Sequence, residues 1–318
     1  MLTAKVRLAV TGKQEIYIYK ASSARQLTAK IPYIRRMKYP AIDSRLFIEN
    51  RKKYAALLSA KSIAFLNSND EMPRNGDANF MFRQNSDLFW LSGIDQEQTI
   101  LVVAPHHPIA EYREMLFVRK TNEHIAVWEG HKYTKEEARA ASGIQSVYWL
   151  DDFQSILPVL MHHSDKVYLN LNENDRFVTE VPYRDERFAA SLRAKYPHHE
   201  YERSGPMMAA LRVIKSDTEI ALMRAACDIT DKAFRRVLHF TKPGVNECEI
   251  EAEIIHEFIR NRATGHAYTP IIASGPNACV LHYNDNNQIC KEGDVILLDF
   301  GAEYANYAAD LSRSIPVS

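Results

Sequence analysis

GDVILLDFGA (residues 293–302) and YAADLSR (residues 307–313) hold the two acidic residues that are most informative about this chain. Val295 to Leu298 is a short run of apolar residues that favour β-structure, and it predicts a buried strand. That strand ends on a carboxylate, Asp299. A charged residue at the end of a buried strand needs a physical reason, because a carboxylate resists burial.

The second segment predicts a strand from Tyr307 to Pro316, which carries Asp310. A reversal near residues 304–306 would join it to the first strand as a hairpin. With an even-numbered tight loop, Asp299 lies opposite an even-numbered residue, so Asp310 points to the same face of the sheet. The two carboxylates are then about 4.5–8 Å apart, directly opposite or diagonal.

Two carboxylates on one sheet face, next to an apolar run, repel each other and resist burial. Buried charges of this kind shift their pKa, form ion pairs or bind a metal. The alternative is a solvated aspartate at the end of each strand, since Asp is common beside turns. The residues by themselves leave both interpretations open.

A resemblance to a known family bears on this choice. The segments 298–304 and 307–314 resemble the paired-aspartate hairpin of the aminopeptidase P (Xaa-Pro aminopeptidase) family, whose members are pita-bread metallopeptidases. The His-Tyr pair at 282–283 and the sequence RQNSD at 83–87 extend the resemblance, which covers residues 37–318.

The resemblance implies an α/β (α+β) fold with two domains. Residues 37–208 would form a creatinase-like N-terminal α/β domain, and residues 209–318 the first part of a pita-bread catalytic domain. Residues 1–36 are rich in Lys and Arg and contain one acidic residue, Glu15. We interpret them as a basic extension outside the fold, with Met37 as a natural start; a transit peptide is the alternative.

The resemblance also implies a role for four side chains. Asp299 would chelate one metal ion and Asp310 would bridge two. His282 would face the metal centre and contact the substrate or the developing oxyanion; without the resemblance, it would be interpreted as a core histidine. Asp87 would lie near the active site of a neighbouring subunit, and the alternative is an Asp that caps a turn before a strand.

The implied cofactors are two divalent cations in the complete enzyme, and oxygen and imidazole ligands favour Mn²⁺. The implied reaction is attack of a dinuclear metal-bound hydroxide on the carbonyl of an N-terminal residue that precedes proline. The partners are therefore peptides with proline at the second position. Proline has no amide N–H and a fixed φ, so a pocket shaped for its ring can select it.

This chain departs from the family pattern after Asp310. The family uses five ligands, Asp, Asp, His, Glu and Glu, and the last three have no counterpart up to Ser318. We therefore expect a C-terminally truncated enzyme that binds metal weakly and is inactive as written. The alternatives are an Xaa-Pro dipeptidase (prolidase) and a non-catalytic binding module with the pita-bread fold.

Composition limits the other possibilities. The 318 residues have a formal net charge of 0 and a pI near 7.2, which gives no electrostatic case for nucleic acid. No apolar run approaches the about 20 residues of a membrane helix, so no membrane role is expected. The four cysteines form no C-x-x-C pair, which is typical of reduced thiols in a cytoplasmic protein. A homo-oligomer is expected from the resemblance alone.

Strands alternating with helices predict an α/β layer in the first half of the chain. It has no glycine-rich phosphate loop, so a nucleotide role has little support. Capping boxes are predicted at Thr134 to Glu137 and at Ser216 to Glu219. Two less regular segments, Leu88 to Leu91 and Cys279 to Tyr283, are predicted as strands from their apolar content.

Overall fold

The computed structural model describes residues 5–8, 16–19 and 39–318. The chain divides into two compact units, Met1–Arg36 and Met37–Ser318. In the first unit, β1 (Lys5–Leu8) pairs antiparallel with β2 (Ile16–Tyr19). The predicted start at Met37 lies outside the described residues.

The second unit contains helices and strands in alternation. Its helices are α1 (Ser44–Ala55), α2 (Ser86–Ser92), α3 (Glu123–Glu129), α4 (Lys135–Ser142), α5 (Phe153–His162), α6 (Arg184–Lys195), α7 (Gly205–Val213), α8 (Asp217–Phe240) and α9 (Glu247–Arg260). Its strands are β3 (Ser62–Asn67), β4 (Pro73–Asn75), β5 (Ala78–Asn79), β6 (Ile100–Val103), β7 (Glu114–Val118), β8 (Ser146–Trp149), β9 (Lys166–Leu169), β10 (Glu200–Arg203), β11 (Gly265–His266), β12 (Ile271–Ser274), β13 (Val295–Phe300), β14 (Ala302–Tyr304), β15 (Tyr307–Ala308) and β16 (Leu311–Pro316).

The N-terminal half is built on a six-stranded sheet in the order β10-β9-β3-β6-β7-β8. Strands β10, β9 and β3 are parallel to one another, whereas β6 runs antiparallel to β3 and β7. Every residue of β3 and β6 is buried, because helices cover both faces of the sheet and form two separate apolar clusters. The expected α/β layer is therefore confirmed.

The helix α2 corrects the strand predicted at Leu88 to Leu91. The Asn85 side chain accepts hydrogen bonds from the backbone N–H groups of Asp87 and Leu88, which begins the helix. Gly93 closes it in the left-handed conformation, with φ of 67°. All four residues of the predicted strand are buried and apolar. A run of this kind shows neither the helical nor the strand period of apolar and polar residues, so the sequence pattern does not distinguish the two structures.

The predicted capping boxes are confirmed. Thr134 accepts from the N–H of Glu137 while the Glu137 carboxylate accepts from the N–H of Thr134. Ser216 and Glu219 make the same reciprocal pair at the start of α8. Each box supplies acceptors for helix N–H groups that have no partner within the helix.

Helix α7 runs across the expected domain boundary at residues 208–209. Its Met207, Met208 and Leu211 side chains pack in an apolar cluster of the N-terminal half. The chain then continues through Ile214 to Ser216, the N-cap of α8. The division into 37–208 and 209–318 consequently remains a proposal.

In the C-terminal half, α8 and α9 pack against one face of a three-stranded antiparallel sheet in the order β12-β13-β16. A second three-stranded sheet in this half has the order β11-β14-β15. Residues 39–318 and the two short described segments contain no helix that is long and apolar enough to cross a bilayer.

Two strand predictions in this half need correction. Cys279 to Tyr283 is not a strand: a 3₁₀ turn spans Gly275–Cys279, and residues 281–282 form a turn. Gly275 has φ of 55° and Pro276 lacks an N–H, which together favour a turn over a sheet strand. The strand predicted from Tyr307 to Pro316 is split into β15 and β16, which lie in different sheets.

Candidate active site

Strand β13 separates the apolar core from an open sheet face. Ile296, Leu298 and Phe300 are buried in the cluster formed with α8 and α9. Because side chains alternate along a strand, Asp299 lies on the opposite face. Among residues 39–318, that face is covered by a small cluster around Tyr283, so it can present polar groups.

The register brings Asp310 to the same face as Asp299. Asp299 pairs with Ser312 on β16 and with Ile271 on β12. Asp310 is two residues before Ser312, and it is therefore the diagonal neighbour of Asp299. This agrees with the parity expected from the sequence.

One hydroxyl joins the two carboxylates. The Tyr268 Oη lies 2.7 Å from Oδ1 of Asp299 and 3.0 Å from Oδ1 of Asp310. Burial raises the pKa of the Tyr268 phenol, and the two carboxylates raise it further, so the proton stays on the tyrosine at physiological pH. A phenol has one proton, so it can donate to only one carboxylate at a time. The other carboxylate faces the oxygen without a donor.

A close backbone approach fixes the spacing of the two acidic residues. A Cβ atom on Gly301 would lie 1.8 Å from the backbone oxygen of Ala309. Between the same strands, the Ala309 N–H donates to the Ala302 oxygen at 3.0 Å. Only glycine allows this approach, which holds the residues after Asp299 against those before Asp310.

The hairpin between the two acidic residues ends in a two-residue turn. Ala305 and Asn306 have φ of 52° and 64°, and Tyr304 and Tyr307 pair on either side of them. Two successive positive φ angles are typical of a type I′ turn, whose twist matches that of a hairpin. The predicted reversal at residues 304–306 is confirmed.

The N-terminal half contacts this hairpin directly. Arg83 forms an ion pair with Glu303 on β14. Trp90 Nε1 donates to Oε1 of Glu219 at 2.7 Å, and the Tyr307 hydroxyl donates to the same oxygen at 3.3 Å. Glu219 is 3% exposed, so its carboxylate depends on these protein donors. The hairpin that carries Asp310 is thus tied to the N-terminal half of the chain.

His282 lies on an exposed turn whose ends are fixed by Glu247. The Tyr283 hydroxyl and the Gln288 N–H both donate to Oε2 of Glu247, at 2.8 Å and 2.9 Å. The Ser274 N–H donates to Oε1 at 2.7 Å. This fully buried carboxylate therefore connects the first turn of α9, the end of β12 and the loop that carries His282.

Asp87 lies in the first turn of α2, where its carboxylate is already paired. Arg212 Nη1 donates to Oδ1 at 2.5 Å, and Asn170 Nδ2 donates to Oδ2 at 3.2 Å. In residues 39–318, no hydrogen bond or ion pair joins Asp87 or His282 to the two aspartates at Tyr268. The structure therefore brings together two of the four expected site residues.

The donor set fits one part of a divalent-cation site. Asp299 and Asp310 both direct a carboxylate oxygen at the Tyr268 hydroxyl, which has one proton for the two of them. A cation at this point would balance their two negative charges. No group of three or more His, Cys, Asp or Glu side chains suited to a metal occurs among the described residues. Further ligands would be needed for two ions.

Three features of the site escaped the sequence analysis. No sequence motif marks the hydroxyl of Tyr268. Glu247 and the Arg83–Glu303 pair depend on contacts between distant segments. For Tyr268, an aromatic residue with a polar end near two predicted acidic strands is a signal that could have been used.

Comparison with known proteins identifies two domains. Residues 47–168 match the aminopeptidase P N-terminal domain, and residues 221–318 match metallopeptidase family M24. The chain therefore carries an aminopeptidase P N-terminal domain and an M24 metallopeptidase domain. The M24 match implies a divalent metal cofactor, as the sequence resemblance had indicated.

Individual relatives agree with this assignment. An Xaa-Pro aminopeptidase of Haemophilus influenzae is 30% identical over 272 residues, which are 86% of this chain and 60% of the relative. Xaa-Pro aminopeptidase 3 of Homo sapiens is 28% identical, with 79% of this chain and 49% of the relative covered. The chain thus spans between about half and two thirds of the length of these curated relatives.

Solved structures show the same fold. Aminopeptidase PepP of Pseudomonas aeruginosa has a TM-score of 0.77 and 30% identity, over 87% of this chain and 62% of that one. Aminopeptidase P of Escherichia coli, in complex with the inhibitor Pro-Leu, has a TM-score of 0.76 and 27% identity, over 88% and 63%. The two-domain α/β prediction is confirmed by these likenesses.

Proposed function

We propose that this chain carries part of the active site of an Xaa-Pro aminopeptidase, which releases an N-terminal residue that precedes proline. The observation that supports this most directly is the single Tyr268 hydroxyl between the carboxylates of Asp299 and Asp310. Two carboxylates that share one proton donor are poorly balanced in charge without a cation, and divalent cations serve peptide hydrolysis in the metallopeptidase family that residues 221–318 match.

Asp299 and Asp310 are the proposed metal ligands of this chain, and Mn²⁺ is the proposed ion because both ligands are hard oxygen donors. When bound, a divalent cation there would polarise the scissile carbonyl. Tyr268 would donate its proton to one carboxylate and so hold its orientation. The remaining metal ligands would come from residues other than Asp299 and Asp310.

His282 is the proposed contact for the substrate or for its developing oxyanion. Its exposed turn is held by Tyr283 and Glu247, so the imidazole can reach outward while its backbone stays fixed. An imidazole that donates a hydrogen bond to a negatively charged oxygen lowers the energy of the transition state.

Three further assignments are proposals. A homo-oligomer is proposed, in which Asp87 would act toward a neighbouring subunit; its pairing with Arg212 would then have to change or to be shared. A cytoplasmic location is proposed from the four free cysteines. The division into an N-terminal domain at 37–208 and a catalytic part at 209–318 is proposed with α7 as the connection.

The function is tested by peptide hydrolysis with the whole protein that carries these residues. In the presence of Mn²⁺, we expect free alanine from Ala-Pro-Leu but not from Ala-Ala-Leu. Asp299→Asn and Asp310→Asn should each abolish turnover, whereas Asp165→Asn, at an exposed surface ion pair, should not. Equal cleavage of both peptides, or full activity of both active-site variants, would contradict the proposal.

The 318 residues alone should behave differently. Two carboxylates leave most coordination positions of a divalent ion to water, so we expect weak binding and no turnover. Tight, stoichiometric binding of two ions with turnover would show that the ligand set described above is wrong.

A further inference from the structure

A polar crevice lies in the N-terminal half, at the carboxyl ends of the parallel strands β3, β9 and β10. Phe65 of β3 and Arg203 of β10 both pair with Leu169 of β9, so the three strands end at the same edge of the sheet. A cavity of about 870 Å³ opens at this edge. In open α/β sheets, ligands bind beyond the carboxyl ends of such strands, and this volume suits a small molecule.

The charged residues of the cavity lining carry an excess of positive charge. Arg212 pairs with Asp87 at 2.5 Å, and both residues belong to the lining. Arg203 pairs with Glu173 in the same way. A third arginine of the lining, Arg83, pairs with a residue of β14 that lies outside it. A ligand in the crevice therefore meets three guanidinium groups and two carboxylates, which favours a negatively charged ligand.

The two arginines that pair within the lining keep N–H groups for a ligand. Arg212 donates to its carboxylate through Nη1, and Arg203 donates through Nε and Nη2. Within residues 39–318, Nε and Nη2 of Arg212 and Nη1 of Arg203 have no acceptor. The two side chains are 39% and 72% exposed, so these donors are accessible to a ligand.

Three asparagines of the same lining add donors whose orientation is settled by the backbone. Oδ1 of Asn85 accepts from two N–H groups in the first turn of α2. Oδ1 of Asn172 and Oδ1 of Asn174 each accept from the N–H group two residues further along the chain. The amide nitrogen of each side chain is therefore left as a donor, and none of the three has a partner in the described part of the chain. All three residues are at least partly exposed, so a ligand can reach them.

One group of these donors surrounds the start of α2. Asn85 is the N-cap of this helix, Arg212 binds Asp87 in its first turn, and Arg83 lies two residues before the N-cap. The group contains two guanidinium groups and one carboxylate. A phosphate dianion offers three terminal oxygens as acceptors, and guanidinium groups bind it with good geometry. The start of α2 therefore suits a phosphate.

The other group surrounds Glu173. Its neighbours in sequence, Asn172 and Asn174, present their amide nitrogens, and Arg203 balances the charge of the carboxylate. Phe177, which is 42% exposed, belongs to the same lining. Neutral donors beside an exposed aromatic ring suit the hydroxyl oxygens and the carbon skeleton of a sugar or a polyol.

We propose that this crevice binds a phosphate ester of a small sugar or polyol. The phosphate accepts hydrogen bonds from Arg212 and from Nδ2 of Asn85, and the hydroxyl oxygens accept from Nδ2 of Asn172 and Asn174. The site depends on the N-terminal half, and it is independent of the proposed hydrolysis and of metal binding by the paired aspartates.

Calorimetric titration of the 318-residue chain tests the proposal at constant ionic strength, in buffer freed of divalent cations. The four probes are glucose 6-phosphate, glycerol 3-phosphate, inorganic phosphate and glucose. We expect saturable binding of at least one ester to one site per chain, at least about tenfold tighter than that of inorganic phosphate. Glucose, which lacks the phosphate, should show no saturable binding at the same concentrations.

Asparagine-to-aspartate variants locate the site, because aspartate keeps the Oδ1 acceptor but replaces the amide donor with a negatively charged oxygen. Asn85→Asp should weaken the binding of the esters and of inorganic phosphate at least about tenfold. Asn172→Asp should weaken the esters about tenfold and inorganic phosphate less. Asn122→Asp is the matched control and should bind as the parent does. Asn122 is the N-cap of α3, and its Oδ1 also accepts from a backbone N–H, but it does not line the cavity.

The folded state of each variant is checked by its urea midpoint. The proposal is overturned if neither ester binds saturably at millimolar concentration, or if inorganic phosphate or glucose binds as tightly as the esters. A folded Asn85→Asp chain with the affinity of the parent would overturn it as well. If Asn85→Asp fails to fold, Arg212→Lys takes its place, because lysine keeps the charge beside Asp87 but lacks the planar set of donors. An unchanged affinity in that variant would have the same consequence.

Discussion

The two main sheets differ in how many of their faces are covered. The six-stranded sheet of the N-terminal half is packed on both sides, and its strands β3 and β6 are buried at every residue. The three-stranded sheet of the C-terminal half is packed mainly on one side, and β13 alternates between buried and partly exposed residues. The paired aspartates lie on the open face. Carboxylates there stay partly hydrated, so the desolvation free energy of placing two charges on the sheet is moderate.

This difference also determines what holds each region in place. Strands of the first sheet are held by apolar side chains above and below them. The hairpin of Asp299 and Asp310 is held by a backbone approach at Gly301, by the ion pair of Glu303 with Arg83 of the other half, and by the hydrogen bond of Tyr307 to Glu219 of α8. Changes in these few contacts should therefore affect the hairpin more than ordinary surface changes do.

The largest effect on the hairpin is expected for Gly301→Ala. Its Cβ would lie 1.8 Å from a backbone oxygen, which cannot move without separating the two strands. We expect a loss of about 3 kcal/mol in the free energy of unfolding, measured by urea denaturation. Gly76→Asn is the control, because no atom lies within 4 Å of a Cβ there and Asn tolerates its φ of 56°. A Gly301→Ala chain as stable as the parent would contradict the proposed role of the close approach.

The next effect concerns the contact between the halves. Trp90→Phe removes the indole donor to Glu219, and we expect a loss of about 2 kcal/mol, because a buried carboxylate loses a hydrogen bond. Tyr307→Phe removes the second donor, so the two changes should be non-additive in a double-mutant cycle. Trp128→Phe, at a ring that is 78% exposed, should have little effect. Strict additivity would show that Glu219 does not couple the two donors.

A pH effect is expected from Asp185 in the more covered half. Burial raises the pKa of its carboxyl to about 7, a hydrogen bond from Asn67 and the charge of Arg184 oppose the rise, and Asp87 adds to it. Because the unfolded value is about 3.9, the folded chain binds the proton more tightly, and this stabilisation is complete below about pH 4 and lost by about pH 7.

Asp185→Asn removes this dependence. Relative to the variant, the parent should lose stability as the pH rises through this window, by up to about 1.4 kcal/mol per pH unit, in urea denaturation series. The control is Asp165→Asn, whose exposed carboxylate pairs with Lys61. Parallel pH profiles of Asp185→Asn and the parent would refute the raised pKa.

The smallest effect is expected for Tyr268→Phe. Removal of the hydroxyl leaves Asp299 and Asp310 without their shared partner, which should cost about 1 kcal/mol. Millimolar Mn²⁺ should stabilise this variant at least as much as the parent, because ligands that bind the folded state raise its stability. A variant that Mn²⁺ does not stabilise would indicate that the two carboxylates do not share a cation.

Much of the hairpin was predictable from residues close in sequence. The apolar run before Asp299, the reversal at 304–306 and the parity that places Asp310 on the same face all follow from local pattern. The capping boxes at Thr134 and Ser216 were likewise predicted, since each depends on residues three positions apart.

The remainder depends on contacts that no local pattern contains. Leu88 to Leu91 was predicted as a strand because a fully buried run has no period, and only the caps at Asn85 and Gly93 identify the helix. The Tyr268 hydroxyl and the buried Glu247 carboxylate each connect segments that are far apart in sequence. These contacts therefore become visible only in the folded structure. His282 and Asp87 remain predictions as site residues.

Terbium luminescence tests most directly the proposed binding of a cation by Asp299 and Asp310 together. Tb³⁺ prefers the same oxygen ligands as other hard cations, and a tyrosine next to the ion sensitises its emission. We predict sensitised emission from the 318-residue chain, loss of most of it in Tyr268→Phe, and loss of binding in the Asp299→Asn/Asp310→Asn double variant. Undiminished emission from a folded double variant would contradict the account.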